Sequence, residues 1–304
     1  MTVHLQLPLG FQRDWLWRGW TVRYTHLRAL SLASEPGQNL PLLFLHGFGS
    51  ALTQWRENLL PLNQAHPVYA LDLVGFGASE KAATAYRVEL WADQVYDFWR
   101  TFIGRPIVLV GHSLGALVAL TAAVSHPEIV QGLVLITLPA ARQELLPGWL
   151  QPIVGTVESW FTTPLLTQPL FRLIRRPSVI RAVLRKVYVN QERVTEALIE
   201  SFLTPGQDQG AVRAFGHLAR ARTDNDFCRA TKELLQDLTV PTLLLWGEKD
   251  QVIPLAWGRQ LPPLNAHLKL VEIPNAGHCP YDEAAAEVNA AILAWVAALP
   301  DATG

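Results

Sequence analysis

Short apolar runs recur along the chain: Leu42–His46 after Pro41, Val68–Leu73 after Pro67, then Ile107–Val110, Leu133–Thr137, Thr242–Trp246 and Leu268–Ile273. They are continuous rather than alternating and rich in Val, Leu and Ile, the pattern of strands buried on both faces of a parallel sheet. Between them, apolar residues fall at helical spacing over Val88–Ile103, Leu114–His126, Ala256–Leu261 and Asp282–Leu299. Strand and helix alternate. The pattern therefore predicts an α/β fold, a mostly parallel central sheet of about eight strands with helices on both faces. Leu16–Thr25 and Leu27–Ala33 read as an antiparallel edge hairpin.

The rhythm fails once. Residues 139–225 separate two strands and hold several prolines, Trp149, Trp160 and many helical fragments, but no convincing strand. This predicts a helical cap (lid) inserted over the carboxyl ends of the sheet, with residues 1–138 and 226–304 forming the core domain. No internal repeat or low-complexity tract is evident.

Composition sharpens this picture. Of 304 residues half are apolar, 17% are charged and 11 are tryptophan, which implies a large core together with a wide apolar cleft or exposed apolar surface. A formal net charge of −1 argues against a general nucleic-acid binder. Cys228 and Cys279 support neither a disulfide framework nor a thiolate metal site. The histidines and carboxylates show no metal-ligand spacing, and Gly-x-Gly at 47–49 and 75–77 lacks the third glycine of a dinucleotide fingerprint. No metal or cofactor is expected. The amino terminus has neither the basic flank nor the apolar run of a signal peptide, and no window approaches ~18 uninterrupted apolar residues. The expected location is the cytoplasm, with peripheral membrane contact left open.

Chemistry enters at Gly111-His112-Ser113-Leu114-Gly115, placed where the Ile107–Val110 strand ends and a helix begins. The bare Gly-x-Ser-x-Gly pattern should arise by chance in roughly one chain in ten to twenty of this length, so its context decides. A serine hydroxyl is a poor nucleophile until a sharp turn exposes it, a base takes its proton and N–H groups receive the oxyanion. An acid and a histidine follow in suitable places. Asp250 lies just beyond the Thr242–Trp246 strand, and His278 lies in the loop after the last strand. The alternative acid position after the Leu133–Thr137 strand holds Leu138, Pro139 and Ala140, with no carboxylate. Ser113 is thus the candidate nucleophile, His278 the base and Asp250 its orienting acid. The backbone N–H groups of Leu114 and of Phe48, in the loop His46-Gly47-Phe48-Gly49-Ser50, are the candidate oxyanion donors. His46 and His112 read as structural neighbours, Asp72 as a fastener of the Gly75–Ser79 loop and Cys279 as a packed thiol.

With HGFGS at 46–50, DLVGFGAS at 72–79, GHSLG at 111–115, WGEKDQVIP at 246–254 and NAGHCPYDE at 275–283, the chain resembles the α/β-hydrolase superfamily over nearly its whole length. WLWRGWTVRY at 15–24, QWREN at 54–58, YRVELWADQVYDF at 86–98 and GHCPYDE at 277–283 are similar to the cyanobacterial and plant branch that includes pheophytinase and chlorophyll dephytylase. That resemblance implies a long-chain ester substrate, such as the phytyl ester of a chlorophyll pigment. Haloalkane dehalogenases and epoxide hydrolases of the superfamily carry aspartate at the nucleophile position, which Ser113 disfavours. Carbon–carbon bond hydrolases and cofactor-free perhydrolases use the same serine triad and stay open beside ester hydrolysis, as does a non-catalytic ligand-binding fold.

The cap carries two further expectations. Trp149, Trp160 and Phe161 are candidate lining for an apolar ester. From Ser159 to Gln191 there is no Asp or Glu, while Arg172, Arg175, Arg176, Arg181, Arg185 and Lys186 interleave with apolar residues. This reads as a basic amphipathic segment that either closes the pocket as a solvated face or docks on anionic lipid.

Overall fold

Alternate side chains of the central strands feed two separate cores, and this requirement shapes the architecture. A computed structural model describes residues 9–31, 39–145 and 164–300. Its sheet comprises β1 (Gln12–Trp17), β2 (Trp20–Leu27), β3 (Leu42–Leu45), β4 (Val68–Leu71), β5 (Ile107–His112), β6 (Val130–Ile136), β7 (Thr242–Gly247) and β8 (Leu268–Ile273). The spatial order is β1-β2-β4-β3-β5-β6-β7-β8. β4 through β8 run parallel along that order, and β2 joins β4 antiparallel. Every residue of β3, β5 and β7 is buried.

Leu43, Leu45, Leu109, Leu135 and Leu244 point to one face, into a core shared with helices α1 (Val88–Phe102) and α2 (Leu114–Ser125). Their neighbours Leu42, Phe44, Val108, Val110, Val134 and Leu245 point to the other, where Val288, Ile292 and Val296 of the carboxyl-terminal helix close a second core. Successive strand residues must face opposite ways, so a strand apolar throughout needs cover on both sides. This is the α/β-hydrolase fold.

Between β6 and β7 the described residues contain helices and no strand. They include α3 (Pro164–Ile174), α4 (Pro177–Val187), α5 (Glu196–Leu203) and α6 (Ala211–Ala221), after which α7 (Thr231–Asp237) returns the chain to the sheet. No helix among the described residues is long and apolar enough to cross a membrane.

Several expected boundaries move: β6 begins at Val130 rather than Leu133, and β4 ends at Leu71 rather than Leu73. The amino-terminal hairpin turns at Arg18-Gly19, both with positive φ (50° and 87°), so Leu16–Thr25 spans a turn and β2 ends at Leu27. Arg-Gly carries only half of the Asn-Gly or Asp-Gly signature that marks such a turn in sequence. The expected helix over Asp282–Leu299 is two, Pro280–Glu283 and α8 (Ala285–Ala297), parted at Ala284 (φ −128°, ψ 49°). The expected Ala256–Leu261 helix is a single turn at Leu255–Gly258.

Where β5 meets α2, backbone passes backbone with no room for a side chain. A Cβ at Gly115 would lie 2.2 Å from the Leu45 carbonyl oxygen, and one at Gly111 would lie 2.2 Å from that of Gly115. Both blocking atoms are main chain and cannot rotate away. Gly115→Ala is expected to destabilise the fold by about 2–3 kcal/mol, the upper range for overpacking. Urea denaturation measures this, and a change below ~0.5 kcal/mol would contradict the crowding.

Candidate active site

Ser113 is squeezed between β5 and α2 with φ 51° and ψ −115°, a region a non-glycine residue occupies only under constraint. Its N–H donates to the Ile136 carbonyl (2.9 Å), and its own carbonyl accepts from Ala116 (2.9 Å) and Leu117 (3.2 Å). Strand and helix thus hold the strained turn from both sides, and the side chain is presented to a cavity at the carboxyl ends of the strands.

His278 and Asp250 meet there. His278 Nδ1 lies 2.9 Å from Asp250 Oδ2, and both residues are buried. The other carboxylate oxygen accepts the N–H groups of Val252 (2.8 Å) and Ile253 (2.9 Å), which fixes the acid in its loop. An Nδ1–H donated to Asp250 leaves Nε2 as the ring's lone-pair nitrogen. The imidazole is clamped by its backbone as well. Its N–H donates to the Val187 carbonyl at the end of α4 (3.2 Å), and its carbonyl accepts from His112 Nε2 (2.9 Å). Ser113, His278 and Phe48 line one cavity. The structure therefore gathers Ser113, Asp250 and His278 from the ends of β5, β7 and β8, although they are far apart in sequence.

Of the two proposed oxyanion donors, Leu114 opens α2, where a helix leaves its N–H groups without internal partners, and its side chain turns into the core. Phe48 lies in the loop after β3. That loop is pinned by Gly47 N–H donating to Gln54 Oε1 (3.1 Å) and by Ser50 N–H donating to the Gly47 carbonyl (3.2 Å).

The cavity holds about 610 Å³ and is largely apolar, with Phe48, Phe171, Ile180, Phe202, Phe215 and Leu218 in its walls. The expected lining residues Trp149, Trp160 and Phe161 lie outside the described residues.

The buried polar neighbours hold loops. His46 Nδ1–H donates to the Gly47 carbonyl (2.8 Å) and Nε2 accepts from Leu73 N–H (3.1 Å), so the ring is neutral with both nitrogens committed. Burial pushes its pKa down to about 4. Asp72 accepts from Leu52 N–H (2.6 Å) and Ala78 N–H (2.7 Å), and its carbonyl accepts from Ser79 Oγ (2.7 Å), which ties down the 75–79 loop. Burial outweighs these donors and lifts its carboxyl to about 6. Burial also pushes His112 well below the usual histidine range, with the charge of His278 a second cause. Cys279 is buried and its thiol is pushed up by burial, so it offers no competing thiolate.

Two supporting residues escaped sequence reasoning. Gln54 holds the Gly47–Ser50 loop from within QWREN, a segment quoted above only for its resemblance. Glu283 accepts from Gly277 N–H (2.9 Å) with one oxygen and from Val189 (2.7 Å) and Asn190 N–H (2.8 Å) with the other. It binds the His278 loop to the segment after α4. Only its place five residues beyond the histidine hinted at this, and spacing alone does not reveal an acceptor for three backbone donors.

A half-buried serine that lines a cavity from a strand–helix elbow, with an imidazole–carboxylate pair at the same cavity, defines the nucleophile-elbow class of hydrolases. A sequence profile described as the alpha/beta hydrolase fold matches residues 41–285, and the chain belongs to this family of hydrolases. It is similar to the chloroplastic pheophytinase of Arabidopsis thaliana, 24% identical over 293 residues, covering 84% of this chain and 60% of the plant protein. The 2-hydroxymuconate semialdehyde hydrolase of Pseudomonas sp. strain CF600 is 28% identical, with coverage of 80% and 82%. Among solved structures, a bacterial membrane phospholipase A superposes with a TM-score of 0.73 at 25% identity, covering 94% of this chain and 86% of the other.

Glu283→Gln replaces one acceptor oxygen by an N–H₂ that faces donors. It is expected to lower kcat about 10–100-fold with KM changed less than threefold, since a misplaced base costs rate rather than binding. Steady-state kinetics measure this, and an unchanged kcat would remove Glu283 from the positioning of His278.

Stability should fall on acidification. Between about pH 4 and 6.5 the unfolded chain protonates His46 and the folded protein does not, so the fold loses stability as pH drops through that window, and His112 adds to the loss. Asp72 acts oppositely from 3.8 to about 6, where the folded state keeps the proton and stability falls as pH rises. Two imidazoles outweigh one carboxyl. The net slope is about 1.4 kcal/mol per pH unit for each uncompensated proton. Denaturant titrations from about pH 7.5 down to about pH 5 check it; constant or rising stability would contradict the neutral burial of both rings.

Proposed function

We propose that the protein is a serine-dependent carboxylic-ester hydrolase that acts on a bulky apolar ester through an acyl-enzyme. The observation that carries this reading is the His278–Asp250 pair (2.9 Å), which leaves Nε2 as the ring's basic nitrogen at the apolar cavity that Ser113 also lines. Ser113 Oγ attacks the ester carbonyl while His278 Nε2 takes its proton. The N–H groups of Phe48 and Leu114 receive the oxyanion, each such donor contributing about 3 kcal/mol to the transition state. The departing alkoxide then takes the proton from the imidazolium. Water, activated by the same nitrogen, attacks the acyl-enzyme and frees Ser113. Asp250 stabilises the charged ring throughout.

The substrate class rests on two supports. A cavity of about 610 Å³ with phenylalanine walls suits a long or polycyclic apolar group. Similarity to a pheophytinase favours a chlorophyll-type phytyl ester within that class. One observation favours a second reading, carbon–carbon bond hydrolysis of an anionic substrate by the same residues. The described cavity lining includes Lys81, Arg175 and Arg222 and no carboxylate side chain.

A fluorophosphonate probe tests the chemistry. It is expected to label wild type at Ser113 and not Ser113→Ala, and His278→Ala should lose at least ~10³-fold in ester turnover while staying folded. Failure to label folded protein would favour a non-catalytic binding protein. Assays of p-nitrophenyl esters of rising chain length, pigment phytyl esters and an anionic dienoate ring-fission product then separate the readings, since turnover of the dienoate alone would select carbon–carbon cleavage.

A further inference from the structure

The cap helices α3 and α4 face two ways. Inward, Ile174, Ile180, Val183, Leu184 and Val187 line the cavity. Leu173, which does not line the cavity, is 47% exposed, and Ile174 and Val183 are exposed as well as lining it (37% and 54%), so they stand at the cavity's rim. Around these stand Arg172, Arg176, Arg185 and Lys186, all exposed. Arg181 is committed to Glu196 (2.6 Å), and Arg175 lies over the Phe171 ring at the cavity. The four outward cations form no ion pair among the described residues. No acidic residue occurs from Ser159 to Gln191, while the whole chain carries a formal net charge of −1, so the remainder of the protein is net acidic. Positive charge is therefore concentrated in this segment, and the exposed Leu173 stands within it.

Solvated charge alone would not account for Leu173 left exposed among the cations, beside a cavity rim at which Ile174 and Val183 are also exposed. A protein partner would need a basic-complementary groove with apolar slots. An anionic bilayer supplies both kinds of contact over any area, with headgroup charge for the guanidinium and ammonium groups and an acyl boundary for the apolar tips. We propose that the outer surface of α3 and α4 docks on anionic phospholipid membranes, so that an ester dissolved in the bilayer reaches the cavity across the thickness of the cap helices without passing through water. The docking stands by itself; the delivery step rests on the ester-hydrolase reading above.

The test is vesicle flotation of the full-length protein. Vesicles of phosphatidylcholine are compared with vesicles holding about 30% phosphatidylglycerol, at about 50 mM and about 500 mM salt. Wild type is expected to float with the anionic vesicles at low salt, to be released at high salt and to leave the neutral vesicles unbound. The variant Arg172→Glu/Arg176→Glu/Arg185→Glu/Lys186→Glu should lose binding more than 100-fold, and Arg172→Gln/Lys186→Gln should lose about fivefold per charge. Leu173→Ser should weaken binding without altering its salt dependence. Fluorophosphonate labelling of Ser113 and turnover of a short soluble ester, within twofold of wild type, show that each variant is folded and competent. Equal binding to neutral vesicles, or retained binding after charge reversal, would overturn the docking surface. So would a face buried in a second copy, seen as a dimer in sedimentation that only the variants dissociate. Vesicle binding without turnover of any ester would leave docking intact and sink the hydrolase reading alone.

Discussion

Everything at this site follows from how closely one helix start is forced against two strand ends. The carbonyl oxygens of Leu45 and Gly115 occupy the space where a Cβ of Gly115 or Gly111 would sit. That proximity leaves Ser113 no ordinary backbone conformation, hence its positive φ. The strain is held in place by β5, which is anchored in both apolar cores, and by α2, which is anchored in one of them. Packing energy in the body of the domain is thereby converted into the exposure of one hydroxyl.

His278 is fixed differently. Its loop belongs to no strand or helix and takes its order from groups donated by other parts of the chain. Asp250 holds one ring nitrogen, His112 the carbonyl, Val187 the amide and Glu283 the preceding glycine. A second carboxylate, Asp282, is buried nearby and accepts from Arg56 (2.9 Å), Arg193 (2.9 Å) and Tyr188 (2.9 Å), joining the core to the segment beyond α4 again. Paired and fully hydrogen-bonded, such buried charges specify one arrangement of the two parts rather than adding much net stability.

Much of this was legible in the amino-acid sequence. The parallel strands announce themselves because burial on both faces demands unbroken apolar runs, and β8 was read to the residue. Ser113, Asp250 and His278 could be picked out because each follows a strand, where loops gather at one rim of a doubly wound sheet. What stayed hidden depends on contacts between distant segments. Nothing local in Gln54 or Glu283 marks either as an acceptor for backbone donors elsewhere. The turn at Arg18-Gly19 went unseen because arginine is a rare occupant of positive φ, and the break at Ala284 because alanine favours helix. His46, His112 and Asp72 were read as structural neighbours, and their displaced proton affinities arise from burial that no sequence window displays.

The hydrogen bond from His278 to Val187 sets a mechanical limit. It spans 3.2 Å, already near the long end of its range, and one of its partners sits at the end of α4. A roof that swung away would carry off the carbonyl that steadies the imidazole, and the Val189 and Asn190 amides would leave Glu283 with it. Whatever holds α4 in place therefore also holds the order of the His278 loop.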